Sequence, residues 1–281
     1  MSRAVGFIGL GDQGAPMAAA IGARFDLHVW ARRAGSYAAL SKVRHEVAKS
    51  AADLASRVSV LCLALPGDAE LAEIIQESVL GTMEPGGVVI NHATGDPEAA
   101  QTFAGTLAAQ GLEYLDAPVS GGRPGAEMRA LTCFVGGDAA VLEACRDILA
   151  THSIAIRHMG PAGTGQMTKL LNNALTVANL RSVVEVLTLA KAAGVGLPAL
   201  QEAFETSSGG SFILQALGTK VTPDIAAHIA QLNRKDISEF AAAMERKGLN
   251  ASAIVDWARP GPDHLIDIVR ALRPPVEGPG R

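Results

Sequence analysis

Along the first 160 residues, short apolar runs alternate with Ala-rich helical stretches. The runs fall at residues 4–8, 27–31, 58–63, 87–91, 112–116 and 132–136. Several are apolar at consecutive rather than alternate positions, as in strands covered by helices on both faces. Strand and helix in alternation predict a buried parallel sheet. Beyond Gly160-Pro161 the pattern turns helical, with one stretch running from residue 165 to about 193. At 1.5 Å per residue it would be roughly 40 Å long. It offers Leu170, Leu171, Leu175, Val184, Leu187 and Leu189 for burial and is long enough to run from one domain into another. Further helices are expected at 198–205, 224–231, 236–247 and 251–258. The fold class predicted is α/β, with a dinucleotide-type domain over residues 1–160 and an all-helical one over 161–281. No internal repeat or low-complexity segment interrupts this plan.

A chain of 281 residues with 48% hydrophobic content can bury a sizeable core, and its net charge of −4 comes from interspersed acids and bases. Nothing in that balance suggests nucleic acid or an anionic membrane surface as a partner. Cys62, Cys133 and Cys145 are far apart, form no C-x-x-C pair and have no His at metal-ligand spacing. They read as reduced core thiols, and no metal is expected. The glycine-broken N-terminus reads as neither signal peptide nor anchor, so a cytoplasmic protein is expected. The Pro/Gly-rich end from Arg273 has little to bury and is expected to fray.

Gly9, Leu10, Gly11, Asp12, Gln13 and Gly14 directly follow the first predicted strand and open the first helix, with Pro16 in its first turn. In that setting Gly9 permits a tight turn, Gly11 lets the backbone approach a pyrophosphate, and Gly14 lets helix and strand pack closely. The helix N-terminus then faces the phosphates. About 20 residues on, where an NAD enzyme presents an acid to the ribose, stand Ala31, Arg32 and Arg33. No carboxylate is there to repel a 2′-phosphate, and the Arg32 guanidinium suits one. The cofactor expected is NADP, with NAD second.

Two further segments carry chemistry. The first is Asp116-Ala117-Pro118-Val119-Ser120-Gly121-Gly122, leading to Leu131 and on to Gly136-Gly137; the second is Gly163-Thr164-Gly165, followed by Lys169, Asn172 and Asn173. Successive small residues at Ser120, Gly121 and Gly122 expose backbone N–H groups that can cradle a carboxylate, with the Ser120 hydroxyl as a further donor. Lys169 and Asn173 stand at i and i+4 on one helical face. A lysine there can take the proton from an alcohol as its hydride leaves, or return it to a carbonyl, if desolvation and neighbouring positive charge tune its amine toward neutral pH.

With Leu65-Pro66 after the third strand and Lys235-Asp236 later, these segments resemble the β-hydroxyacid dehydrogenases, the 3-hydroxyisobutyrate dehydrogenase-like members of the 6-phosphogluconate dehydrogenase superfamily. The resemblance extends in order from about residue 4 to residue 245. It implies an NAD(P)-dependent oxidoreductase acting on a small anionic hydroxy acid or semialdehyde. It also implies a Rossmann domain followed by a helical one, a homodimer or homotetramer built through the helices, and a catalytic lysine at Lys169 with Asn173 and Ser120 beside the substrate. By the same resemblance Thr94 contacts the nicotinamide and Lys235 approaches the cofactor, oriented or capped by Asp236. Phe212, after the small residues 207–211, walls the substrate pocket.

The chain departs from the family pattern at Gln13, where Met is usual, at Ala93, where Ser is usual, and at Arg129-Ala130, where Gly then Thr is common. Arg123 is also bulkier than usual after the glycines of the acid loop; either arginine is a candidate for favouring a larger or more anionic substrate, against the plainer reading that both are solvated surface residues. The histidines show no acid partner at a recognisable spacing. Imine reductases share the fold but replace the lysine, and non-catalytic NADPH-binding modules typically lose it; Lys169, Asn173 and Ser120 together speak against both. The helical half is shorter than decarboxylating 6-phosphogluconate dehydrogenase would need.

Overall fold

The computed structural model describes residues 3–273; the Pro/Gly-rich end from residue 274 lies outside them. The chain divides into two compact units that meet in sequence at Lys169 and Leu170.

The first unit is built on a sheet whose strands follow the order β3-β2-β1-β4-β5-β6-β8-β7, with β9 beside β8. These are β1 (Ala4–Ile8), β2 (Asp26–Trp30), β3 (Glu46–Val47), β4 (Val60–Leu63), β5 (Val88–Asn91), β6 (Glu113–Asp116), β7 (Val119–Ser120), β8 (Leu131–Gly136) and β9 (Ser153–Gly160). The first six pair in parallel, in the 3-2-1-4-5-6 order of a doubly wound nucleotide-binding sheet. Between them run α1 (Gly14–Gly22), α2 (Ala51–Ala55), α3 (Asp68–Ile74) and α4 (Pro97–Ala108); α5 (Gly122–Glu127) and α6 (Ala139–Leu149) follow.

Two apolar clusters cover the sheet, and alternate strand residues feed them. Val5, Phe7, Val60 and Cys62 enter one, while Ile8, Leu61 and Leu63 enter the other. β4 and β5 are therefore buried at every position. Each fully buried aliphatic side chain contributes about 1.5–3 kcal/mol of transfer free energy. Cys62, Cys133 and Cys145 are free thiols buried in this core.

The sheet is not parallel throughout. β8 runs antiparallel to both β6 and β7, because the chain returns from β6 through β7 and the six-residue α5 rather than through a full crossover. β9, which no apolar run announces, is buried only at Ser153, with Ile154 78% accessible.

The second unit is helical. It takes up most of α7 (Thr164–Ala192), then α8 (Leu197–Glu205), α9 (Phe212–Ala216), α10 (Ala226–Arg246), α11 (Ser252–Ala258) and α12 (Leu265–Leu272). Its core gathers Leu180, Val184 and Leu187 of α7 with Leu214, Leu217, Leu265, Ile268 and Val269. The two helices expected at 224–231 and 236–247 are one continuous α10, so Lys235 is mid-helix. Of the α7 leucines expected to be buried, Leu171, Leu175 and Leu189 are instead 49%, 58% and 68% exposed. With Val186 they lie within a narrow arc at 100° per residue, an apolar stripe on one face. Among the described residues no helix is long and apolar enough to cross a membrane.

Candidate active site

At the carboxyl ends of β1 and β4, where the strand order reverses, the first unit holds a cavity of about 620 Å³. Its lining runs from Arg32, Arg33 and Ser36, past the turn Gly9–Gly14, to Thr94, Val119 and Lys169. A crevice at this reversal is where open α/β sheets take ligands.

The three glycines differ in what they leave room for. Gly9 holds φ at 103°, and a Cβ there would strike the Ala64 carbonyl. A Cβ on Gly14 would strike the Gly9 carbonyl, whereas one on Gly11 would meet nothing within 4 Å. Gly9 and Gly14 therefore close the turn on itself, and Gly11 opens onto the cavity. No side chain caps the N-terminus of α1. An open glycine beside uncapped helical N–H groups is a site for a phosphate, and the residues present fit a dinucleotide.

Leu65 and Pro66 line the cavity after β4, and Ala31, Arg32 and Arg33 line it after β2. Arg32 is not idle: its Nη2 donates to Glu73 Oε2 of α3 at 2.9 Å. Arg123 donates through Nε to Glu127 at 2.7 Å and lies 3.8 Å from Asp12, and these acids push its guanidinium pKa further up.

At the other end, Thr94 sits in a loop held on both sides by one side chain. Gln166, fully buried, donates through Nε2 to the Ala93 carbonyl at 2.7 Å and accepts from the Gly95 N–H at 2.9 Å. Asn91 also accepts from the Ala93 N–H, at 2.9 Å. A Cβ on Gly95 would come within 3 Å of the Asp68 carboxylate, which itself accepts from the Asp96 N–H at 2.8 Å.

Gln166 and Lys169 share a face of α7 at i and i+3. The first turn of α7 is seated by Asp116, which accepts from the N–H groups of Gly163 and Gln166, each at 2.8 Å. Burial pushes the Asp116 carboxyl up to about 6, against the pull of those amides. A Cβ on Gly165 would press within 2.6 Å of the Asp116 and Phe134 carbonyls, so the helix start lies flush on β6 and β8. Lys169 follows one turn later and lines the cavity.

His92 also lines the cavity. Its Nδ1 donates to the Ala117 carbonyl at 2.9 Å, and its ring meets His152 edge-on at 5.1 Å. Burial lowers the His92 pKa to about 4, which keeps the ring neutral. Among the described residues its Nε2 has no hydrogen-bond partner.

Sequence reasoning did not single out Gln166, Asn91, Glu73 or His92, and it gave Asp116 no role. It also missed that His28 lies between Asp26 at 3.5 Å and Glu46 at 3.6 Å across the β2–β3 edge. Ser120 pairs with Thr132 of β8, next to the cavity-lining Val119; Gly121 and Gly122 follow with φ of 132° and 62°. Arg129, where Gly is common, is among the described residues the one non-glycine at positive φ, 55°, and does not line the cavity. In the second unit, Asn173 is buried on α7 one turn past Lys169. Phe212 opens α9, 66% exposed, with Lys220 Nζ 4.8 Å from its ring centre. Lys235 pairs with Glu239 at 3.4 Å.

Comparison with known proteins places this geometry in context. The family model for the NAD binding domain of 6-phosphogluconate dehydrogenase matches residues 4–160. The model for the NAD-binding of NADP-dependent 3-hydroxyisobutyrate dehydrogenase matches residues 163–256. The NAD-dependent L-serine dehydrogenase of Pseudomonas aeruginosa is 33% identical over 216 residues, covering 76% of this chain and 72% of that one. The 2-(hydroxymethyl)glutarate dehydrogenase of Eubacterium barkeri is 30% identical, over 83% of this chain and 79% of its own. Among solved structures, 3-hydroxyisobutyrate dehydrogenase of Mycobacterium tuberculosis with L-serine superposes with a TM-score of 0.84 at 25% identity. That match covers 97% of this chain and 100% of the other.

Proposed function

The chain belongs to the β-hydroxyacid dehydrogenase family, and from that premise we propose that it is an NADP-dependent enzyme with Lys169 as general acid and base. Its substrate is a small β-hydroxy acid or the matching semialdehyde. The observation that carries the reading is one cavity with an open glycine turn at one end and Lys169 at the other.

The bound nicotinamide supplies or accepts the hydride. The protein's own groups do the rest. The turn Gly9–Gly14 and the start of α1 bind phosphate, and Arg32, Arg33 and Ser36 take the 2′-phosphate at the rim. Thr94, fixed by Gln166, orients the nicotinamide end. Lys169 moves the proton at the substrate oxygen, taking it from the alcohol as the hydride leaves or returning it to the carbonyl. By family resemblance Asn173 holds that oxygen or the lysine, while Ser120, Gly121 and Gly122 hold the carboxylate. Phe212 and Lys235 are assigned on the same resemblance to the substrate and cofactor.

Residues 1–160 form the cofactor domain on this reading, and residues 161–281 serve substrate binding and assembly into a homodimer or homotetramer. The exposed stripe Leu171, Leu175, Val186 and Leu189 supports that assembly, since apolar surface of this kind marks association sites. The buried free thiols suit a reducing cytoplasmic setting. A screen of NADPH with small semialdehydes, and of NADP with the matching hydroxy acids and L-serine, tests the reading: turnover on at least one carboxylate substrate is expected.

A further inference from the structure

The strand end that reads the adenine-side ribose carries no acid of its own, yet the fold brings one there. Glu73 projects from α3, next to the cavity-lining Ile74, and its Oε2 accepts from Arg32 Nη2 at 2.9 Å. The two residues are 41 positions apart, so only the fold of the chain unites them.

A carboxylate at this point accepts from a free 2′-hydroxyl and repels a 2′-phosphate. A guanidinium does the reverse, as a bidentate donor to phosphate. Here both are present and satisfy each other. We propose that Glu73 is the selectivity residue of the dinucleotide site: by holding Arg32 it attenuates recognition of the 2′-phosphate and keeps NAD usable beside NADP. This inference rests on the cofactor reading above.

The exposure of the pair fits such a role. Arg32 and Glu73 are 62% and 47% exposed at their side chains, so the pair is screened and weak, and a phosphate can displace it. Displacement leaves the Glu73 charge close to the incoming phosphate, which is the source of the attenuation. Arg33 and Ser36 also line this rim, so the subsite does not collapse when Arg32 is shared.

The test is a fluorescence titration of NADPH and NADH into the wild-type chain, Glu73→Gln and Arg32→Ala at low salt. Glu73→Gln is expected to tighten NADPH by about fivefold, the scale of one exposed ion pair, with NADH unchanged or weaker. Arg32→Ala is expected to move the ratio of the two dissociation constants the other way. A ratio that stays within about twofold of wild type in Glu73→Gln overturns the proposal while leaving the cofactor reading intact. A wild-type chain that binds neither nucleotide overturns both.

Discussion

The Asp116 carboxylate accepts the backbone N–H of Gln166 at 2.8 Å, and the Gln166 side chain in turn grips the backbone on either side of Thr94. The chain end of β6 thereby seats the helix that carries Lys169 and the loop that carries Thr94 as one piece. Gln166→Ala strands the Ala93 carbonyl and is expected to cost about 1–3 kcal/mol in urea denaturation. Gln166→Glu should cost more, because it sets an acceptor against that carbonyl at almost unchanged volume. Equal stability of Gln166→Glu and wild type would remove Gln166 from this role.

The fingerprint glycines separate folding from binding. Gly11→Ala adds a methyl to open space and should fold as wild type while losing NADPH affinity, since the methyl occupies the approach to the phosphates. Gly14→Ala drives a Cβ into the Gly9 carbonyl and should lower the melting temperature or prevent folding. Thermal melts beside nucleotide titrations distinguish the two; undiminished NADPH binding in Gly11→Ala would contradict the placement of the pyrophosphate.

His92 ties stability to pH. Its pKa is about 4 when folded, against an ordinary 6.5, because burial disfavours the charged ring. The unfolded chain therefore binds more protons between these values. The contribution is fully present above pH 6.5 and is lost as pH falls toward 4, up to about 3 kcal/mol. Asp116, with its pKa raised, acts in the opposite sense, but it is common to wild type and a His92→Asn variant. The stability gap between those two proteins should narrow from pH 7 to pH 4, while a gap independent of pH would contradict a neutral buried ring.

Arg129 occupies the left-handed region at φ 55°. A side chain there costs roughly 1–2 kcal/mol, partly offset by the backbone entropy that glycine brings to the unfolded state. Arg129→Gly is expected to stabilise the protein by about 0.5–1 kcal/mol without altering kinetics. A kinetic change on anionic substrates would instead return Arg129 to the site.

The sheet was legible where strands are buried on both faces, because β4 and β5 must then be apolar at every position. β9 was not, since an exposed edge strand such as Ser153–Gly160 needs no apolar run. α10 read as two helices because Asn233, Arg234 and Lys235 break the apolar rhythm, although Asn233 is buried within it. Within the site, the glycine turn and Lys169 announce themselves by local spacing. Gln166 and Glu73 do not, because their partners lie 73 and 41 residues away and only strand order brings them together.

The most direct test of the central claim is Lys169→Ala, measured by NADPH fluorescence titration and by steady-state turnover on the best substrate of the screen. The account predicts NADPH affinity within about twofold of wild type and a fall in kcat of about 10²–10⁴, the range of a lost general acid and base. Turnover within about tenfold of wild type would contradict it, since the proton would then travel by a group other than Lys169.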